Sequence, residues 1–98
     1  MLISKQTNGT ELTIALDGRL DTTTAPELEA ELRGSIKDIK ELVFDMTKLA
    51  YISSAGLRVL LKVQKVMNKQ GKMAVKNANS DIVEIFEVTG FDEILNIE

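Results

Sequence analysis

Cysteine and histidine are both absent from the 98 residues of the sequence. Without cysteine there is no disulfide bond and no thiol nucleophile, and without histidine the commonest catalytic acid and base is missing. The usual zinc ligands are therefore also missing, and no calcium-binding loop of the DxDxDG kind occurs. We accordingly expect a protein that is not an enzyme and that holds no metal ion and no cofactor.

Long apolar runs and blocks of like charge are absent as well. The longest apolar stretches have three or four residues, so we expect no membrane insertion, and the first residues do not resemble a signal peptide. These features predict a cytoplasmic protein. A net charge of −3 with no basic block disfavours nucleic acid as a partner. The hydrophobic content of 44% is sufficient for one compact domain over residues 1–98, which we expect to be a monomer.

The hydrophobic pattern predicts the element order ββαβαβα. Asn8-Gly9 is a favoured hairpin turn, Gly18 and Asp21 interrupt the second strand pattern, and the uninterrupted run 42–44 indicates a central strand buried on both faces. The predicted elements are strands over 2–7 and 10–16, a helix beginning at the capping box Thr24-x-x-Glu27, a strand over 42–44, a loop over 46–53, a helix over 54–70, a strand over 72–76, a helix from Asn79 or Ser80 to Gly90, and a turn or short strand over 94–97.

The start of the second helix is the most informative segment. Ser53 and Ser54 stand where a side chain can cap the helix and where free N–H groups and the helix dipole favour a phosphate. The next two residues, Ala55 and Gly56, are small. Because glycine costs a helix about 1 kcal/mol relative to alanine, Gly56 indicates either the close approach of a partner or tight packing.

The segment Tyr51–Arg58, preceded by the strand Leu42–Asp45, resembles the signature of the STAS-domain anti-sigma-factor antagonists, in which a D-S-x-G-L motif opens the second helix. Gly18-Arg19-Leu20-Asp21 is similar to the G-x-hydrophobic-D segment of that family, and the likeness extends over nearly the whole chain. The resemblance implies an α/β fold, a single STAS-type domain. Its mixed sheet would have about four or five strands, an N-terminal antiparallel hairpin followed by parallel strands, with the helices packed mainly on one face.

The resemblance also implies a function. The protein would bind an anti-sigma factor that is also a serine kinase, and so release a sigma factor. The kinase would phosphorylate the motif serine, and a PP2C-type phosphatase would restore it. Aligned on Gly56-Leu57, that serine is Ser54, with Ser53 as the alternative acceptor in the place of the family's usual Asp. The expected partner-binding residues are Asp21, Thr22, Ser53, Ser54, Ala55, Gly56, Arg58 and Lys62.

Other interpretations stay open at this point. The domain would alternatively be a phosphorylation-independent STAS interaction module, as a transport-complex subunit, a stressosome-like scaffold or a ligand sensor. A hydrolytic site built from Asp21, Asp45 and a serine is disfavoured, since there is no histidine base, GxSxG elbow or Walker loop. A basic stripe on the second helix is either a contact surface for an acidic partner or a solvated face, and the solvated face is favoured for its last two members; the stripe consists of Arg58, Lys62, Lys65 and Lys69.

Overall fold

An N-terminal hairpin opens the fold, and the predicted element order ββαβαβα is confirmed by the computed structural model, which describes residues 1–98. The hairpin turn is Gly9-Thr10 and not the predicted Asn8-Gly9, because Asn8 pairs with Glu11 as the last residue of the first strand and only Gly9 has a positive φ, +63°. The elements are β1 (Leu2–Asn8), β2 (Glu11–Leu20), α1 (Ala25–Ser35), β3 (Glu41–Ile52), α2 (Ser54–Gln70), β4 (Lys72–Lys76) and α3 (Ser80–Thr89), followed by a short 3-10 turn over Phe91–Glu93.

The sheet is mixed, as expected, with its strands in the order β1-β2-β3-β4. The hairpin pair β1 and β2 is antiparallel, and both later pairs are parallel. The C-terminal residues add one parallel bridge between Ile97 and Val75 beside β4. There the N–H of Val75 donates to the carbonyl oxygen of Asn96 at 2.8 Å. The segment predicted as a turn or short strand therefore extends the sheet at that edge.

The helices cover a single face of the sheet. Both parallel connections run in the same direction along the strand order, and right-handed crossovers then place their helices on the same side. Leu42 and Phe44 point into the core, whereas Val43 between them is only half-buried. The prediction that this strand is buried on both faces was wrong. The helices cover only one face of the sheet, so the side chains on the other face are less buried.

Two strands are longer than predicted. β2 continues through Gly18 to Leu20, and β3 occupies the stretch 46–52 that was predicted as a loop. The pairing of β2 with β3 shifts register twice, once next to Gly18, and it continues beyond both shifts to Leu20 and Ile52. Gly18 has φ +114°, a conformation that favours glycine, so it allows an irregularity of the strand where the sequence suggested its end. None of the helices has the length and apolar character needed to span a membrane.

Candidate functional site

The two strand-to-helix junctions of interest form one surface, because β2 and β3 are parallel neighbours that end side by side. Leu20 pairs with Ile52 in the sheet, and the N–H of Ser53 donates to the carbonyl oxygen of Leu20 at 2.9 Å. From these strand ends the chain continues into α1 after β2 and into α2 after β3, both on the same face of the sheet. The geometry thus brings the Asp21 region and the Ser53–Ser54 region together, as their positions after neighbouring strands would require.

The two adjacent serines occupy different positions at the start of α2. Ser53 is the N-cap, with extended backbone, and its Oγ accepts a hydrogen bond from the N–H of Gly56 at 3.4 Å. Ser54 is the first helical residue, and its side chain is exposed. The capping hydrogen bond is therefore made by Ser53, which leaves the Ser54 hydroxyl facing solvent.

Gly56 is buried where α2 packs against the ends of β2 and β3. A Cβ atom at this position would lie 2.7 Å from Cγ of Leu20 and 2.9 Å from Cγ1 of Ile52. Such distances are well inside van der Waals contact. Tight packing is thus the reason for glycine here, a choice that the sequence left open. Among the predicted partner-binding residues, Gly56 lies beneath the surface that the others form.

Asp21 organises the junction before α1. Its Oδ1 accepts hydrogen bonds from the N–H groups of Thr23 at 3.0 Å and Thr24 at 3.1 Å. The hydroxyl of Thr24 donates back to the carbonyl oxygen of Arg19 at 2.7 Å and makes no cap to the helix. The predicted capping box was wrong, because the Thr24 side chain is held against the end of β2.

The carboxylate of Asp21 is stabilised in its charged form. The hydrogen bond from the Thr24 N–H lowers the pKa of Asp21, and the Thr23 N–H, the Thr24 hydroxyl and the positive charge of Arg19 act in the same direction, against a smaller opposing effect of desolvation. Nε of Arg19 lies 3.7 Å from Oδ2 of Asp21, and the guanidinium stacks over the ring of Tyr51 at 4.4 Å from its centroid. Both charges are thus largely paired within the chain.

A shallow groove between the N-terminal halves of α1 and α2 brings together four of the predicted partner-binding residues: Thr22, Ala55, Arg58 and Lys62. Nζ of Lys62 donates to Oε1 of Glu29 on α1 at 2.8 Å, and this hydrogen bond lowers the pKa of Glu29. Lys62 is therefore engaged within the chain, whereas Arg58 is exposed at the groove without an ion-pair partner. The other four predicted partner-binding residues lie outside the groove lining; they are Asp21, Ser53, Ser54 and Gly56.

Sequence reasoning missed Glu29 and the stacking of Arg19 on Tyr51. Glu29 and Lys62 are 33 positions apart, and only the packing of α1 on α2 joins them. Arg19 and Tyr51 are paired where β2 and β3 are irregular; Tyr51 lies in the stretch predicted as a loop, and Arg19 lies beyond the predicted end of the second strand at residue 16. No three carboxylates are grouped so that they could hold a metal ion together.

The comparisons with known proteins agree with this architecture. The STAS domain family model matches residues 2–98. BtrV of Bordetella bronchiseptica, which carries the name of an anti-sigma factor antagonist, is 38% identical over 88 residues, covering 88% of this chain and 76% of that protein. An anti-sigma-B factor antagonist of Listeria monocytogenes is 26% identical over 98 residues, covering 96% and 84%. The solved structure of the Bacillus cell fate determinant SpoIIAA in its phosphorylated form has a TM-score of 0.77 at 15% identity, covering 99% of this chain and 91% of that one.

Proposed function

The chain belongs to the STAS domain family, and from this membership we propose that it is an anti-sigma-factor antagonist controlled by reversible phosphorylation of Ser54. Two relatives are named as anti-sigma factor antagonists, and the more similar one is 38% identical. The partner is an anti-sigma factor that is also a serine kinase, and a PP2C-type phosphatase removes the phosphate. In this cytoplasmic role the protein is a binding partner and a substrate, and catalysis belongs to the kinase and the phosphatase.

The observation that carries the proposal is the difference between the two serines. Ser53 supplies the capping hydrogen bond of α2, while Ser54 is exposed one residue further on. A kinase needs a hydroxyl whose oxygen can approach the γ-phosphorus of ATP in line with the leaving group. In that step the Ser54 Oγ–P bond forms, the bond from phosphorus to the β–γ bridging oxygen breaks, ADP leaves, and the hydroxyl proton passes to a base of the kinase.

Phosphorylation at this position changes the interface and leaves the fold intact. The phosphate adds a charge of about −1.5 to −2, and the dipole and free N–H groups at the start of α2 stabilise it there. Burying the same dianion against a partner without matching cations costs several kcal/mol. A loss of about 2.7 kcal/mol already lowers affinity a hundredfold. The switch therefore needs no large conformational change.

We propose that the partner contacts the surface formed by the two junctions and the groove between α1 and α2. Ser54 and Arg58 are exposed on the first turns of α2, and Ala55 next to Ser54 is half-buried. Thr22 lines the same groove as Ala55 and Arg58. The ion pair of Lys62 with Glu29 joins the two helices on either side of the groove. Asp21, Ser53 and Gly56 hold the starts of these helices in place.

The experiment is phosphorylation by the cognate kinase-type anti-sigma factor with ATP, followed by mass spectrometry of the Ser53–Ser54 peptide. We expect one phosphate on the wild type and on Ser53→Thr, which keeps a capping hydroxyl, and none on Ser54→Ala. A phosphate retained on Ser54→Ala would contradict the choice of Ser54. Tight binding with no phosphate on any variant would instead support the phosphorylation-independent STAS module.

A further inference from the structure

The charge of α2 differs in sign from that of the whole chain. The helix carries four cationic side chains and no acidic one, although the net charge of the protein is −3. Lys62 is paired with Glu29. The other three cations form none of the ion pairs within the chain; they are Arg58, Lys65 and Lys69. The exposed side of α2 thus has positive charge that the protein does not neutralise itself.

Arg58 is the one of these cations that can reach Ser54. It lies four residues after Ser54, and residues at this spacing are neighbours on one face of a helix with their Cβ atoms about 6 Å apart. Both side chains are exposed, so neither is held by the core. Lys65 lies about 16 Å from Ser54 along the helix axis. A guanidinium also matches a phosphate with two parallel hydrogen bonds, which an ammonium group does not.

The other charged groups around this end of α2 are already paired. Arg19 lies over Tyr51 and within 3.7 Å of Asp21, whose carboxylate offsets its charge. In the groove, Glu29 and Lys62 neutralise each other at 2.8 Å. Arg58 therefore remains as the unpaired cation next to the proposed phosphorylation site.

We propose that Arg58 is the internal counter-ion of phosphorylated Ser54, so that phosphorylation removes from the partner-binding surface a cation that the unmodified protein offers to an acidic group of the partner. This inference rests on the proposed function of Ser54. Phosphorylation then weakens binding in two ways: it adds negative charge at the interface, and it occupies the guanidinium that the partner contacts.

The first test places phosphoserine at position 54 during synthesis of the full chain, so that no kinase is needed, and titrates the phosphate by 31P NMR. We expect Arg58→Ala to raise the second pKa of the phosphate by a few tenths of a unit, and Arg58→Lys to recover part of that shift. Lys65→Ala removes the same charge from the same helix and serves as the matched control. Equal shifts for Arg58→Ala and Lys65→Ala would overturn the proposal.

The second test measures the affinity of the kinase-type anti-sigma factor for the same proteins with and without the phosphate. Arg58→Ala should weaken the unmodified complex and reduce the factor by which phosphorylation lowers affinity. An unchanged factor would overturn the proposal even if the kinase phosphorylates Ser54. Failure of the kinase to modify Ser54 would instead count against the proposed function, while the NMR result would still decide the pairing of Arg58.

Discussion

Gly56 and Gly34 both lie inside helices, but only Gly56 has a structural need to be glycine. A Cβ at Gly34 would meet no atom within 4 Å, whereas a Cβ at Gly56 would meet Leu20 at 2.7 Å. We expect Gly34→Ala to raise the free energy of unfolding by about 0.5–1 kcal/mol through helix propensity. Gly56→Ala should lower it by about 1–3 kcal/mol, because overpacking outweighs the same gain.

Urea unfolding of the two variants checks this pair. Since both substitutions add one methyl group to a helical glycine, each is the control for the other. If Gly56→Ala were as stable as Gly34→Ala, the packing of α2 on the strand ends would be looser than the structure shows.

At the residue scale the sequence predicted the starting positions of α1 and α2 correctly, but it predicted the hydrogen bonds at the start of α1 incorrectly. Ser53 and Ser54 were placed at the start of α2, where the structure has them. Before α1, the sequence offers Asp21 and three consecutive threonines, and each of them can accept from a free N–H. Only the folded chain shows that Thr24 donates to the carbonyl oxygen of Arg19, so that the side chain of Asp21 takes the N–H groups of the turn.

Within α2 two glutamines have opposite energetic roles. Gln64 is 7% exposed, and its Oε1 has no hydrogen-bond partner although its Nε2 donates to Asn68 at 2.8 Å. Gln70 donates to the carbonyl oxygens of Ile36 at 2.8 Å and Ile39 at 2.7 Å. Gln64→Met should raise the free energy of unfolding by about 1 kcal/mol by removing a buried unpaired acceptor, and Gln70→Met should lower it by about 1–3 kcal/mol.

Thermal or denaturant unfolding distinguishes these two variants, which carry the same substitution on the same helix. A shift in the same direction for both would mean that hydrogen bonding does not separate the two positions. The comparison therefore tests the hydrogen bonding of these two side chains, because the change in helix propensity is the same for both variants.

At the element scale, the regular segments were predictable and the irregular ones were not. Helix α2 was predicted over 54–70 and spans Ser54–Gln70. Its stop, Gly71, lies where a side chain would clash with the carbonyl oxygen of Lys40. β3 was predicted too short, because its buried residues change from every second position to every third, at Met46, Leu49 and Ile52. That change follows from the register shifts with β2, which depend on two strands at once.

For the whole molecule, the sequence predicted the topology and the meeting of the two junctions, because parallel strands in a mixed sheet end at the same edge. The groove between α1 and α2 could not be predicted from the sequence. That groove depends on how two helices pack and on the ion pair of Glu29 with Lys62, whose Nζ and Oε1 atoms are 2.8 Å apart. The sequence shows that α2 is basic while the net charge of the chain is −3. Only the packing of the two helices shows which of these positive charges are paired within the chain.

Acid stability is the property in which several of these local arrangements act together. The Thr47 hydroxyl, the Asn77 amide and the Thr47 N–H lower the pKa of Asp45 by hydrogen bonding, and the Thr24 N–H lowers that of Asp21. A carboxylate whose pKa is lower in the folded state stabilises the fold fully above its unfolded pKa. It loses that contribution as the pH falls through the folded value.

The domain should therefore lose stability as the pH falls below about 4. Asp21→Asn removes the titrating group and keeps an acceptor oxygen. Near neutral pH the melting temperature of the wild type should exceed that of Asp21→Asn by a constant margin. This difference in melting temperature should narrow as the pH falls below about 4. A margin that stays constant down to acid pH would mean that the carboxylate of Asp21 has the same pKa in the folded and unfolded chains. In that case the hydrogen bonds from Thr23 and Thr24 would not favour its charged form.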